Sequence, residues 1–195
     1  MRTIVFVITL LCPGFTAIII SCNARGAAEL THPAITKDSL IKRGAYLVAV
    51  MGCDDCHSPK RMGDHGPEVI PERRLSGYQQ DLPLATVNGD EIKKGWVLFS
   101  PDLTAAAGPW GVSFAANLTS DLTGIGSWTA AQFKKALREG KFKGLDNTRP
   151  LLPPMPWPNF AQLTDTDLEA VYTFLQSTKP VKNIVPAPRQ WAATK

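Results

Sequence analysis

The stretch Cys53-Asp54-Asp55-Cys56-His57 constrains this chain more than any other part of it. In a CxxCH pentapeptide the two thiols are spaced so that each can add across one vinyl group of a haem. The histidine that follows is then held beneath the iron and can donate an imidazole nitrogen to it. With four Cys and three His in 195 residues, chance placement would produce the pattern in about one chain per thousand.

Other uses of a CxxC pair fit less well. A structural zinc site needs four ligands, but the remaining cysteines are Cys12 and Cys22, both in the leader, and the remaining histidines are His32 and His65. A thioredoxin-type redox pair needs a βαβ setting and a lowered thiol pKa, which Asp54 and Asp55 oppose. A disulfide between Cys53 and Cys56 would close a very small loop and leave His57 without a role. No other cysteine pair remains for a disulfide, so stability has to come from packing and from the bound haem.

The first residues indicate where such chemistry takes place. Met1-Arg2 is a short positive start, and 4–20 is almost wholly apolar, interrupted by Pro13 and Gly14. Residues 1–21 therefore read as a signal peptide rather than a retained membrane span. The end of this stretch, Ile19-Ile20-Ser21-Cys22, is similar to a bacterial lipobox, which makes Cys22 a candidate for lipidation and the new N-terminus. Ordinary cleavage near 24–28 is the alternative. The localisation expected from the leader is exported, on the periplasmic side, with a possible lipid anchor in the membrane.

Residues 22–35 read as a flexible tether, 36–185 as one domain and 186–195 as an extended C-terminal tail. The leader's one charged side chain, Arg2, leaves 20 basic against 17 acidic residues, or +3. That mild and dispersed excess does not point to nucleic acid.

Three helices are expected. The first starts at the cap Thr36 and runs to about Met51, with Leu40, Ile41, Tyr46, Leu47, Val48 and Val50 as apolar positions and Tyr46 in the core. The second follows the capping box Thr129/Gln132, buries Phe133, Ala136 and Leu137, turns Lys134, Lys135 and Arg138 to water, and stops at Gly140. The third begins at Thr164 and ends near Ser177, with Leu168, Val171, Tyr172 and Leu175 at helical spacing. The long stretch 58–127 is rich in Pro and Gly. Asn88-Gly89 there suggests a short β-hairpin over 85–99, with Trp96, Phe99, Trp110 and Phe114 covering apolar surface.

A haem iron held by His57 has a second axial position. Met155 is the leading candidate for it. The methionine sits in Leu151-Leu152-Pro153-Pro154-Met155-Pro156-Trp157-Pro158, where four prolines stiffen the backbone. It also lies 98 residues beyond His57, far enough for the chain to reach the other haem face. His65 is a second candidate and an open iron a third. Met51 reads as core filler, and Met62 as confined to the proximal side.

Taken together, the helix leading into CxxCH, the distal methionine loop and the C-terminal helix resemble the c-type cytochromes. The segment Ala116-Asn117-Leu118-Thr119-Ser120-Asp121-Leu122-Thr123-Gly124-Ile125-Gly126-Ser127-Trp128 looks like a stretch in cytochrome subunits of bacterial alcohol and aldehyde dehydrogenases. The resemblance covers about 36–185. It implies a mainly α cytochrome c fold with crossing N- and C-terminal helices, haem-enclosing loops and a long loop or short β-hairpin insertion. It also implies one covalently attached haem c with its iron, thioether bonds at Cys53 and Cys56, His57 as proximal and Met155 as distal ligand. Trp128 would either donate its indole N–H to a haem propionate or staple the second helix against Phe133.

The function this implies is single-electron transfer between redox proteins, a dehydrogenase or oxidase among them, by a carrier that is not itself an enzyme. The alternatives are a haem peroxidase or gas sensor with an open sixth position, or an obligatory subunit of a dehydrogenase complex. Two features differ from those dehydrogenase subunits, which usually carry several haems, and from small soluble cytochromes. This chain has a single CxxCH, and its 60–110 segment is long.

Overall fold

The computed structural model describes residues 35–82, 84, 86, 87 and 89–191. The expected signal peptide, Cys22, most of the tether and the last four residues lie outside the described residues.

Helix α1 spans Lys37–Val50. Thr36 and Ser39 cap it reciprocally: each backbone N–H donates to the other's hydroxyl oxygen, at 3.0 and 3.1 Å, which satisfies two of the donors that a helix start leaves open. Helix α2, Cys53–His57, follows after Met51 and Gly52. A hairpin of strands β1 (Lys60–Gly63) and β2 (Gly66–Val69) comes next, then a 3₁₀ turn at Pro71–Arg73. After helix α3 (Gly89–Lys93), strands β3 (Leu98–Phe99), β4 (Ala105–Gly108) and β5 (Gly111–Phe114) form an antiparallel sheet in sequence order.

Helix α4 spans Ala130–Glu139. Its capping box is the expected Thr129/Gln132 pair and its left-handed C-cap is Gly140. A short helix α5, Trp157–Phe160, then leads into α6, Asp165–Gln176, which Thr164 caps by accepting from the Asp167 N–H at 3.0 Å.

The core forms where α1 crosses α6, with α4 against α6. Val48, Leu168 and Ala170 are fully buried, and Leu47, Ile125, Phe133, Leu137, Val171 and Leu175 complete the cluster. Each fully buried Val, Leu or Ile side chain of this cluster contributes about 1.5–3 kcal/mol. The crossing is close because Gly44 has no side chain. A Cβ there would overlap the carbonyl oxygen of Ala170 and lie 2.6 Å from the Cβ of Phe174. A smaller cluster of Ile92, Ala107 and Val112, with Leu84, Val87, Leu98 and Phe114 beside it, supports the inserted sheet.

Several expectations need correction. The hairpin expected over 85–99 does not form. Residues 89–93 are helical, supported by Lys93–Asp90 and Lys94–Glu91 pairs one turn apart, and the strands lie at 98–99, 105–108 and 111–114. Tyr46 is 58% exposed rather than core, on an outer face of α1 where the Arg43 guanidinium lies 5.6 Å from its ring centre; Val50 is 59% exposed. Trp96 is 62% and Phe99 47% exposed among the described residues.

Lys134, Lys135 and Arg138 are half-buried ion-pair partners rather than a solvated face. Lys134 pairs with Glu169 at 2.7 Å, Lys135 with Asp146, and Arg138 with Asp165 at 2.6 Å. The tail is pinned over 186–191. Arg189 exchanges two backbone hydrogen bonds with Val112, at 2.7 and 2.9 Å, and the Trp191 indole donates to the Gly108 oxygen at 2.8 Å.

Candidate haem site

Cys53 and Cys56 lie one turn apart on α2, so their side chains share a helix face. Both thiols are free and half-buried. Burial, reinforced by the charge of Asp54, pushes the Cys53 thiol up to about 12, and burial also raises Cys56. Neutral, unpaired thiols do not make a redox dithiol centre.

His57 is 8% exposed. Its Nδ1 lies 2.7 Å from the backbone oxygen of Ala116. A carbonyl only accepts, so Nδ1 carries the proton and Nε2 carries the lone pair. Burial pushes the ring's pKa down, against the opposing pull of Ala116 and Asp54, and keeps the imidazole neutral. Among the described residues Nε2 has no hydrogen-bond partner. A neutral ring, locked through Nδ1 and open at Nε2, meets what a metal-ligating histidine needs.

Charged groups brace the two ends of α2. Arg74 grips Asp54 through two nitrogens, Nε at 3.0 Å to Oδ1 and Nη2 at 2.7 Å to Oδ2, and the Ser58 hydroxyl donates to Oδ1 at 2.6 Å. Burial acts to raise the Asp54 pKa, but these bonds outweigh it and the carboxyl sits below its ordinary range. Lys60 closes the helix's C-terminal end, where carbonyls lack partners. Its Nζ donates to the backbone oxygens of Asp55 at 2.6 Å, Ser58 at 3.1 Å and Asp102 at 3.0 Å.

Met155 is half-buried and packs against the same core cluster as Cys53, Trp128 and Met51. Its loop is tied at several points. The Leu151 N–H donates to the Gly140 oxygen at 2.6 Å, the Met155 N–H to the Leu152 oxygen at 3.3 Å, and the Ser113 hydroxyl to the Pro153 oxygen at 2.6 Å. The inserted 60–114 segment therefore reaches both halves of the site, through Asp102 at α2 and through Ser113 at the methionine loop.

Trp128 borders the cluster. Its backbone oxygen accepts from the Tyr172 hydroxyl at 2.7 Å, and its indole N–H has no partner among the described residues. His65 and Met62 do not join the site. Both are exposed, His65 in the β1–β2 turn and Met62 on β1 with 75% of its surface accessible. Met51 is core filler, as expected. Lys60, Ser113 and the Ala116 carbonyl were not foreseen. All three act through backbone partners, for which residue type carries no signal.

Two reduced thiols on one turn, a neutral imidazole with a free nitrogen and a half-buried thioether on the same apolar cluster define a protein that binds haem covalently for electron transfer. The Cytochrome c family profile matches residues 41–179, and the chain belongs to that family. Cys53, Cys56 and His57 fit its CxxCH motif, and its cofactor is covalently attached haem c.

Relatives include a component of the nicotinate dehydrogenase of Pseudomonas putida, 39% identical over 82% of this chain. The gluconate 2-dehydrogenase cytochrome c subunit of Pantoea cypripedii is 32% identical over 74%. The cytochrome c subunit of the quinone-type alcohol dehydrogenase of Gluconobacter oxydans is 32% identical over 77%. The chain spans 10% of the first relative's length and 24% of each of the other two.

Proposed function

We propose that the chain is an exported, single-haem electron carrier working with a dehydrogenase. In this reading Cys53 and Cys56 form the thioether bonds, His57 is the proximal iron ligand and Met155 the distal one. The observation that carries the reading is the His57 ring, held neutral and oriented by Ala116 with Nε2 free, beside the two unpaired thiols.

Haem c, when bound, supplies a reversible one-electron change between Fe(III) and Fe(II). The protein's part is to keep both ligands in place through that change. Ala116 and the bracing of α2 by Arg74, Ser58 and Lys60 hold His57. Gly140 and Ser113 hold the Met155 loop. A thioether favours the reduced metal and raises the reduction potential relative to two imidazoles.

The dehydrogenase partner is supported by the relatives, each of which is named as part of such an enzyme. The apolar leader and the lipobox-like Cys22 support export, with residues 1–21 removed and Cys22 lipidated on the periplasmic side.

Optical spectra of the purified protein in both redox states, with a pyridine haemochrome assay, test the reading. One covalently bound haem per chain is expected, with a weak methionine-to-iron band at the red end of the oxidised spectrum that Met155→Ala removes. A band retained in Met155→Ala overturns the distal assignment. Rapid carbon monoxide binding by the reduced native protein would show an open iron instead. For the anchor, Cys22→Ala is expected to release the protein from the membrane fraction; unchanged association overturns lipidation.

A further inference from the structure

Beyond α6 the chain turns inward. Asn183 is 6% exposed, and its side-chain nitrogen donates to the backbone oxygens of both Ser76 and Tyr78, each at 2.8 Å. The two donors of one carboxamide thus grip the residues on either side of Gly77. Asn183 is itself anchored, since its N–H donates to the Thr123 hydroxyl at 3.0 Å and its backbone oxygen accepts from the Asn117 side chain at 3.3 Å.

The 76–78 strap also holds His57. The Gly77 N–H donates to the His57 backbone oxygen at 2.7 Å, and the Tyr78 N–H donates to the Ala115 oxygen at 3.0 Å. Gly77 sits at φ +75°, and a Cβ there would lie 2.6 Å from both the carbonyl carbon and the oxygen of Ala116. That oxygen is the acceptor for His57 Nδ1. The strap thus binds the histidine's main chain and lies close against the carbonyl that orients its ring.

We propose that Asn183 is a positioning residue for His57, setting the Nδ1–H to Ala116 hydrogen bond, and through it the iron's reduction potential, by fixing the 76–78 strap. The proposal rests on His57 being an iron ligand. A firm Nδ1–H bond makes Nε2 a stronger donor, which favours Fe(III). Loosening the strap weakens that bond and raises the potential. Asn183 lies beyond the 41–179 match, so this control belongs to the segment that follows α6.

A merely structural asparagine would tie down the segment after α6 and leave the potential alone. The test compares full-length, haem-loaded Asn183→Leu, similar in volume but without donors, with Ile92→Ala, which weakens the separate cluster under the inserted sheet. Reduction potential is read by spectroelectrochemical titration and stability by denaturant unfolding.

The expected result is an upward shift in Asn183→Leu that Ile92→Ala, despite its loss of stability, does not show. Gly77→Ala should also move the potential. Asn183→Ser, smaller and with one donor, should give an intermediate shift and serves if the leucine variant does not fold. A wild-type potential in the Asn183 variants, alongside lost stability, overturns the proposal. The underlying ligand reading fails separately, if His57→Ala keeps the low-spin spectrum of the native protein.

Discussion

The Nδ1 of His57 lies 2.7 Å from the backbone oxygen of Ala116, 59 residues further along the chain. This one hydrogen bond selects the imidazole tautomer, fixes the ring plane and leaves Nε2 free. It also links the CxxCH helix to the segment that follows the inserted sheet. The insertion is therefore part of the haem site's framework.

Ser58 links the attachment helix to Leu75, the residue before the strap. Its buried hydroxyl donates to Asp54 and accepts from the Leu75 N–H at 2.8 Å. Ser58→Ala leaves that N–H buried without a partner, and a stability loss of about 1–3 kcal/mol is expected. Denaturant unfolding of the haem-loaded protein measures it; a change within error would show that water replaces the hydroxyl.

Gly44 sets the distance between α1 and α6. Gly44→Ala places a methyl group against the Ala170 carbonyl, which is backbone and yields only if the helices separate. A loss of at least about 2 kcal/mol is expected, at the upper end for overpacked cores. A variant as stable as the parent would mean that the crossing is looser than described.

Arg43 donates to Asp167 at 2.8 Å and, as the main cause, holds that carboxyl below its ordinary range. The folded pKa is lower than the unfolded one. The extra stability is therefore present above the unfolded value, about 3.9, and disappears as pH falls through the folded value. Arg43 is half exposed, so solvent screening keeps the contribution small. Asp167→Asn should lower stability slightly at pH 7 and progressively less below pH ~4, as read by urea unfolding at several pH values. A constant difference across that range would contradict the assignment.

Ser113 ties the inserted sheet to the methionine loop. Ser113→Ala should loosen the loop and, with Met155 as the proposed distal ligand, weaken its hold on the iron. Faster carbon monoxide binding by the reduced protein is expected, with about 1 kcal/mol of lost stability. Unchanged carbon monoxide kinetics would mean that the prolines alone hold the loop.

The elements set by local chemistry were legible in the sequence. Thr36, Thr129 and Thr164 cap their helices as expected, and Gly140 ends α4, because a cap satisfies N–H groups only two or three residues away. The inserted sheet was not legible. Its strands have two to four residues, and Ala105–Gly108 is buried throughout, so no alternation of polar and apolar residues marks it. Tyr46 misled for a related reason. Helical spacing shows that an apolar residue could face inward, but which side of α1 meets α6 is decided at the Gly44–Ala170 crossing.

By itself, the sequence determined the attachment motif: two thiols and an imidazole within five residues, residue types that few other roles require in that spacing; it also offered a methionine among prolines as the candidate for the second ligand. The tertiary structure alone decided how that chemistry is held. His57 is oriented by the Ala116 carbonyl, α2 is closed by Lys60 on the carbonyls of Asp54, Asp55 and Ser58 and tied through it to that of Asp102, and the methionine loop is tied through the Pro153 carbonyl. Every residue carries a backbone carbonyl, so only folding, which brings one particular carbonyl within about 3 Å of one particular donor, can tell these partners from the rest.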